Sequence, residues 1–350
     1  MARIVVAGAG AMGASIAYHL VRGGAGEVIL CDRGAVASGS TGKAMGGVRQ
    51  QFSTAPEVRL AQASIRFFEE LGAPFFEQVG YVFIATTEEG LDELDERREL
   101  QVELGVPAKR IDAGAIEGLA VDDVVGAVAC WEDGVADPPA VARELVRRSV
   151  EQGVELREGV SAADVEGDVL VVACGPWSAE AARPHGIDLP IRPLCRQLVD
   201  TTPVEGLPMD LPMVIEAETG FHFRPVGGGL RLAMAERELR WGFEEAVDDN
   251  LVADWLRRLA RRYPRAAEAE VGRAWAGLYD MTPDAHPIIG WVSDGVYAAC
   301  GFSGHGFMQS PAVGAAAAQE ILLEESAFDL TPFRLERFAE GAVFPEKLVL

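Results

Sequence analysis

The chain has 350 residues and a formal net charge of −23, from 54 acidic against 31 basic side chains. That charge argues against nucleic acid or an anionic membrane as a partner, and no apolar run approaches the ~18 residues of a membrane span. With 49% hydrophobic and 24% charged residues, the composition suits a globular chain that holds two domains or one large interrupted one. In chain order, Arg3-Ile4-Val5-Val6-Ala7 is an apolar, β-branched run that predicts a strand. It leads into Gly8-Ala9-Gly10-Ala11-Met12-Gly13. A helical pattern follows (Ile16, Ala17, Leu20) and ends at Gly23-Gly24. A second strand-like run, Val28-Ile29-Leu30-Cys31, stops at Asp32. Strand, glycine turn, helix, strand and acid make the unit that binds the ADP half of a dinucleotide. Gly8 allows the tight turn, Gly10 lets the backbone approach a pyrophosphate, and Gly13 lets the helix pack close to the strand. The helix N-terminus supplies unpaired N–H groups for phosphate oxygens. Asp32 falls near the ~20-residue spacing at which an acid accepts from a ribose diol. These residues alone leave NAD and FAD both open.

Beyond Asp32 comes a glycine- and serine-rich loop with Ser38-Gly39-Ser40-Thr41, whose small hydroxyls suit phosphate oxygens. A P-loop reading of Gly42-Lys43 fails, because Ala37 stands where its first glycine is needed and Ala44 where Ser or Thr is needed. Apolar periodicity predicts a helix over 56–71, a strand over 80–86 and a charged amphipathic helix over 89–104. Asp137-Pro138-Pro139 caps a helix that reaches about Gln152. Val169 to Cys174 reads as a buried strand ending in Gly175-Pro176-Trp177-Ser178, a third strand of the nucleotide sheet. Short runs between 186 and 245 predict an antiparallel sheet, followed by a helix over 249–263. In Gly277 to Gly290, the residues Asp284, His286 and Pro287 predict a tight turn entering a strand, with His286 a structural hydrogen-bonder. Val296 to Cys300 is another buried strand. It opens into Gly301-Phe302-Ser303-Gly304-His305-Gly306-Phe307-Met308, and a last helix is expected over about 311–323.

The remaining composition is bland. Five cysteines (Cys31, Cys130, Cys174, Cys195, Cys300) are odd in number, with no CxxC pair. Cys31, Cys174 and Cys300 sit in apolar strand-like runs and read as small buried hydrophobes in a reducing cytoplasm. The histidines show no metal-ligand spacing, so no metal is expected. The strand at residue 3 leaves no room for a signal peptide. Only Lys43, Lys109 and Lys347 are lysines, and the other basic residues are arginines.

Gly8-x-Gly10-x-x-Gly13, Ser38-Gly39-Ser40-Thr41, Ala173-Cys174-Gly175-Pro176-Trp177, Thr282-Pro283-Asp284 and the Gly301–Phe307 turn occur in this order. The set resembles the D-amino acid oxidase superfamily of FAD enzymes, from residue 2 to about 325. It is most similar to the branch of sarcosine oxidase, glycine oxidase and the L-proline dehydrogenase β-subunit. The resemblance implies a mixed α/β fold: a Rossmann-like FAD-binding domain of the glutathione-reductase type, interleaved with an antiparallel-sheet substrate domain. Residues 1–75, 138–182 and 270–350 form the first and residues 76–137 and 183–269 the second. It implies FAD, held by Gly8, Gly10, Ala11, Met12, Gly13, Asp32 and Arg33, by Ser38, Ser40 and Thr41, and by Val160, Cys174, Gly175 and Trp177. The turn of Gly301, Phe302, Ser303, Gly304, His305, Gly306, Phe307 and Met308 lies under the flavin.

The implied chemistry is oxidation of an amine next to a carboxylate, by hydride transfer to flavin N5, giving an imine. By the same resemblance Arg49 holds the substrate carboxylate and Tyr279 lines the pocket. His222, in Phe221-His222-Phe223, is either a pocket residue or a core histidine. Two departures matter. Gly277 stands where sarcosine oxidase carries the cysteine that links its flavin, which implies a non-covalent flavin here. Met308 stands where that enzyme has an oxygen-activating lysine, which shifts the expectation toward a dehydrogenase, although glycine oxidases also lack the lysine. Glycine oxidases carry an arginine at the position of Tyr279. The leading expectation is oxidation of a secondary amine such as sarcosine or proline, with oxygen or a carrier as acceptor. A 2-hydroxy acid or glycerol-phosphate dehydrogenase remains open. So does a flavin-binding subunit of a hetero-oligomeric dehydrogenase.

Overall fold

The computed structural model describes residues 2–236 and 238–346. Its first unit is the strand Arg3–Ala7, the helix Ala11–Arg22 and the strand Glu27–Asp32. The two strands pair in parallel, Ile4 opposite Val28 and Ala7 opposite Cys31. On the other side of Arg3–Ala7 lies Val169–Val172, also parallel, with Ile4 opposite Val169. Val296–Cys300 and Glu155–Glu158 extend this sheet in parallel, and Ile288–Ser293 closes one edge antiparallel. A parallel sheet needs cover on both faces. Helices Ala11–Arg22, Pro138–Glu151 and Gly306–Ile321 cover one face, over Val6, Leu30, Val171 and Tyr297. Ala182, Ile187 and Leu189 cover the other, over Val172, Ala298 and Cys300.

The larger sheet runs in the order Arg240–Trp241, Arg192–Thr201, Gly229–Ala233, His222–Val226, Met213–Glu216, Tyr81–Ala85, Gly126–Cys130, Lys109–Ile111. Val271–Met281 pairs along Arg192–Thr201, with Leu194 opposite Tyr279 and Arg196 opposite Gly277. The expected antiparallel pattern holds except where Met213–Glu216 lies parallel to Tyr81–Ala85. Those two strands are distant in sequence and share no hairpin, so no turn dictates their relative direction. Alternation sorts the sheet's two faces. Val82 and Ile84 join Phe223 and Trp255 in one core; Tyr81, Phe83 and Ala85 join Val58 and Leu91 in the other. After Met281 the chain leaves this sheet and enters the six-stranded one at Ile288. A small third sheet pairs Gly47–Val48 and Phe76–Glu77 with Gly134–Ala136.

Two strands fall where no element was expected: Gly126–Cys130 and Glu155–Glu158 carry small or charged residues of weak strand preference, and sheet pairing overrides that preference. One expectation needs correction. The last helix starts at Gly306 rather than near Pro311. Pro311 lacks the N–H that would bond the Phe307 carbonyl, and the Ser310 hydroxyl donates to that carbonyl instead, at 2.9 Å. The proline is thereby tolerated inside the helix.

Candidate active site

Residues of both large sheets line one cavity of about 860 Å³, within the ~300–1,000 Å³ range of ligand sites. One end is the first glycine turn. Gly8 has φ +101°, and a Cβ there would lie 2.4 Å from the Ala173 carbonyl oxygen. A side chain is excluded twice over, by backbone conformation and by contact. Gly13 sits behind the wall, where a Cβ would come within 1.8 Å of the Gly8 carbonyl oxygen. Gly10 faces the cavity with Ala11 and Met12; a Cβ there would meet only Thr41 Oγ1, at 3.1 Å. Gly10 caps the helix without a side chain, and the first turn carries no acid. Ala11 N–H donates to Thr41 Oγ1 at 3.0 Å. The result is a positively polarised helix start on the cavity wall. Ser40 Oγ donates to the Leu278 carbonyl at 2.7 Å and ties the Ser38–Thr41 loop across to the larger sheet.

Asp32 lines the cavity while accepting from Ala9 N–H and Gly34 N–H, each at 2.7 Å. A carboxylate has about four acceptor positions, so capacity for a diol remains. Arg33, Ser38 and Val160 complete this end, with Val160 N–H donating to the Asp32 carbonyl at 2.9 Å. Cys174, Gly175 and Trp177 form the opposite side. Burial pushes the Cys174 thiol up to about 12, and it donates to the Ala7 carbonyl at 3.3 Å. It is a packing group and not a nucleophile. An open glycine cradle, a helix start with no N-cap side chain and an acid with spare acceptor capacity fit the ADP half of FAD.

At the far end the wall is Phe302, Gly304, His305, Gly306, Phe307 and Met308. Gly301 and Ser303 lie behind it. Gly301 N–H donates to Asp280 Oδ2 at 2.7 Å, and Thr282 N–H donates to Ser303 Oγ at 3.2 Å. Gly304 has φ +98°, and a Cβ there would stand 2.4 Å from Tyr279 Cε2. The ring of Tyr279 therefore rests on the glycine turn. Burial raises the Tyr279 pKa, so its hydroxyl keeps the proton.

Arg49 reaches this wall although only 1% exposed. Its guanidinium donates to the Gln51 carbonyl and lies 4.1 Å from the Phe52 ring centre. Phe52 in turn packs edge-on against His305 at 5.2 Å. His222 lines the cavity with Nδ1 2.7 Å from the Gly220 carbonyl. A carbonyl only accepts, so Nδ1 carries the proton and Nε2 the lone pair. Burial lowers this histidine to about 4, which keeps the ring neutral at pH 7. At Gly277 a Cβ would lie 2.9 Å from Lys43 Cβ, so the lysine stem occupies the space a side chain would take.

Sequence reasoning missed the supports of this end. Asp133 is fully buried and accepts from Gln50 N–H at 2.9 Å, Gln50 Nε2 at 3.2 Å and Gln51 Nε2 at 3.0 Å. Burial raises it to about 6. Through Gln51 it fixes the carbonyl that holds Arg49. Asp133-Gly134 reads as an ordinary turn, and nothing local marks a buried carboxylate. Asp280 accepts from the Gly301 turn and is raised by burial to about 6. Tyr81 fills the space over Gly47, where a Cβ would come within 1.5 Å of its hydroxyl. Arg196 also reaches the cavity, from the strand Arg192–Thr201. Off the cavity wall, and linked to the helix Gly306–Ile321 through Gln309, fully buried Glu57 and His286 meet at 3.0 Å (Oε1 to Nδ1), and His286 Nε2 lies 2.5 Å from the Phe344 carbonyl. Glu346 accepts from Ser53 Oγ at 2.7 Å.

Comparison with known proteins agrees with this geometry. The family model described as DAO, FAD dependent oxidoreductase, matches residues 3–320. The chain is 27% identical to glycine oxidase of Geobacillus kaustophilus, over 95% of this chain and 96% of that one. It is 24% identical to 4-methylaminobutanoate oxidase (formaldehyde-forming) of Paenarthrobacter nicotinovorans, over 96% of this chain but 46% of that protein, so it spans less than half of that relative. The crystal structure of L-proline dehydrogenase from P. horikoshii matches with a TM-score of 0.90 and 26% identity, covering 98% of this chain and 99% of that one. The chain belongs to the DAO family and is an FAD-dependent oxidoreductase.

Proposed function

We propose that this protein oxidises a small amino acid carrying a secondary amine, of the sarcosine or proline kind, to the corresponding imine. The observation that carries the reading is a single cavity joining the Gly8–Gly13 turn to a buried end built from Arg49, Tyr279 and His222. FAD, when bound, would supply the hydride acceptor for the substrate's α-carbon. Arg49 holds the substrate carboxylate, because a planar guanidinium binds it in a bidentate way and burial reduces screening. The Gln51 carbonyl and the Phe52 ring hold the guanidinium in place. Tyr279 offers a neutral hydroxyl, and the Nε2 lone pair of His222 accepts from the substrate amine N–H. His222 is too weak a base to keep a proton at neutral pH, so its contribution is orientation. Gly277 offers no thiol, so FAD is held non-covalently. Met308 brings no charge to the wall, which favours a carrier over oxygen as electron acceptor. Cofactor binding then falls to residues 1–75, 138–182 and 270–350, and Val271–Met281 reaches into the substrate side.

The test is anaerobic mixing of the FAD-loaded protein with sarcosine, proline and primary amino acids. Lactate, 2-hydroxyglutarate and glycerol 3-phosphate belong in the same series. Bleaching of the flavin absorbance by secondary amines is expected. If only the hydroxy compounds bleach it, the amine reading fails. Arg49→Gln should raise KM ~10–150-fold, since a hydrogen-bonded charge contributes ~1.5–3 kcal/mol, and leave FAD content unchanged. Repeating turnover with oxygen and with an artificial acceptor decides between oxidase and dehydrogenase.

A further inference from the structure

Residues 242–248 join the strand Arg240–Trp241 of the larger sheet to the helix Asp249–Arg262. Both ends of this strap are fastened to the strand Arg192–Thr201. Gly242 N–H donates to the Pro193 carbonyl at 2.9 Å. Asp248 N–H donates to Gln197 Oε1 at 2.8 Å, and Gln197 Nε2 donates to the Asp248 carbonyl at 3.2 Å. Between these anchors, among the described residues, the backbone of Phe243, Glu244 and Glu245 makes no hydrogen bond. Gly242 has φ +117°, and a Cβ there would meet nothing within 4 Å. It is an uncrowded hinge in a conformation that favours glycine.

The tip of the strap reaches across to loops of the six-stranded sheet. Phe243 stacks on Trp177, with ring centres 6.0 Å apart and planes at 20°. Glu245 pairs with Lys43. All four residues line the cavity, and Phe243 is also 43% exposed. A side chain that meets both cavity and solvent stands at the mouth. The two landing points sit on segments already assigned to the cofactor. Gly39 backs Trp177, since a Cβ there would lie 3.4 Å from its Cζ3. Lys43 ends the turn that begins at Ser40, and its carbonyl accepts from Trp275 Nε1 at 3.1 Å. A stacked aromatic pair and a partly exposed ion pair are each weak, shifting an equilibrium by about tenfold or less. Contacts of that size keep a strap shut most of the time and let it open thermally.

We infer that residues 242–248 are a latch that retains FAD. Closed, the Phe243–Trp177 stack and the Glu245–Lys43 pair bar the mouth; open, the strap swings about Gly242 and the cofactor leaves. The inference rests on the non-covalent flavin of the proposed function and on nothing in the amine chemistry.

The experiment loads the protein with radiolabelled FAD and chases it with excess unlabelled FAD. Phe243→Ala should speed the exchange about tenfold, and Phe243→Trp, which keeps a stacking ring, should exchange at the wild-type rate. Glu245→Gln should speed it about threefold, and molar NaCl should do the same to the wild-type protein but not to Glu245→Gln. Glu244→Gln removes the same charge from the same strap, but Glu244 has no partner across the mouth among the described residues, so its rate should not change. Wild-type exchange in both Phe243→Ala and Glu245→Gln overturns the latch. So does an equal acceleration in Glu244→Gln and Glu245→Gln, or a faster reaction with substrate while FAD exchange is unaltered. Flavin that stays with the acid-precipitated chain overturns the latch and the non-covalent reading together. Exchange that responds as expected while no amine bleaches the flavin leaves the latch standing and sinks the amine reading.

Discussion

The two ends of the cavity are built in opposite ways. The end at Gly8–Gly13 comes from one contiguous βαβ unit, and what it offers is backbone: N–H groups at a helix start and space left by missing side chains. The end at Arg49 and Tyr279 is assembled from five stretches distant in sequence, and what it offers is side chains whose charge is buried. A backbone site is held by the secondary structure that creates it. A buried-charge site needs a second layer, here Asp133 and Gln51 under Arg49, Asp280 under the glycine turn, and the Glu57–His286 pair linked to the helix Gly306–Ile321. The first end tolerates little change in its glycines, and the second is sensitive to residues that touch no ligand.

The strongest way to break the contrast is Gly8→Val. A β-branched residue at φ +101° adds strain of more than ~1–2 kcal/mol, and its Cβ would lie 2.4 Å from the Ala173 oxygen. FAD affinity should fall more than 100-fold, read as loss of bound yellow cofactor on gel filtration. Full cofactor retention would show that the cradle does not need glycine here.

A second prediction sharpens the cost of buried charge. Burial raises Glu57 from its ordinary 4.5 to about 7, and His286 is raised as well, because its pairing with Glu57 outweighs its own burial. Both groups bind protons more tightly folded than unfolded, Glu57 from an ordinary 4.5 and His286 from an ordinary 6.5. Their contribution is therefore complete below about pH 4.5 and is lost as pH rises through about 7. The protein should lose on the order of 2 kcal/mol between pH 5 and 8 from this pair. Glu57→Gln should flatten that part of the profile in thermal melts. An unchanged slope would mean the pair does not titrate in this range.

The smallest effect concerns positioning. Asp133→Asn removes one acceptor from the Gln50–Gln51 cluster and should loosen Arg49 without touching FAD. KM for the amino acid should rise about tenfold, or about 1.4 kcal/mol, while kcat and flavin content stay within twofold. A fall in kcat with unchanged KM would assign Asp133 a different role.

Legibility in the sequence followed the same divide. The βαβ unit, the returning strand Val169–Val172 and the glycine turn before Gly306–Ile321 are local patterns, and periodicity with glycine spacing exposes them. Helix caps were equally local, as with Asp137 accepting from Ala140 N–H at 3.0 Å. Arg49 and Tyr279 stood out only through family resemblance, since neither has a local signature. Asp133, Asp280 and Arg196 stayed hidden because burial of a charge depends on what packs around it, and that is decided by distant segments.

By itself, then, the sequence pointed to a dinucleotide and to a backbone site that suits its ADP half, because the tight turn, the close backbone approach and the helix start are properties of adjacent residues. Only the tertiary structure decided which charges share the other end of the cavity. The register of Arg192–Thr201 against Val271–Met281 brings Arg196 and Tyr279 together, Arg49 reaches the same cavity from a separate segment, and their electrostatics exist only once water has been excluded around them.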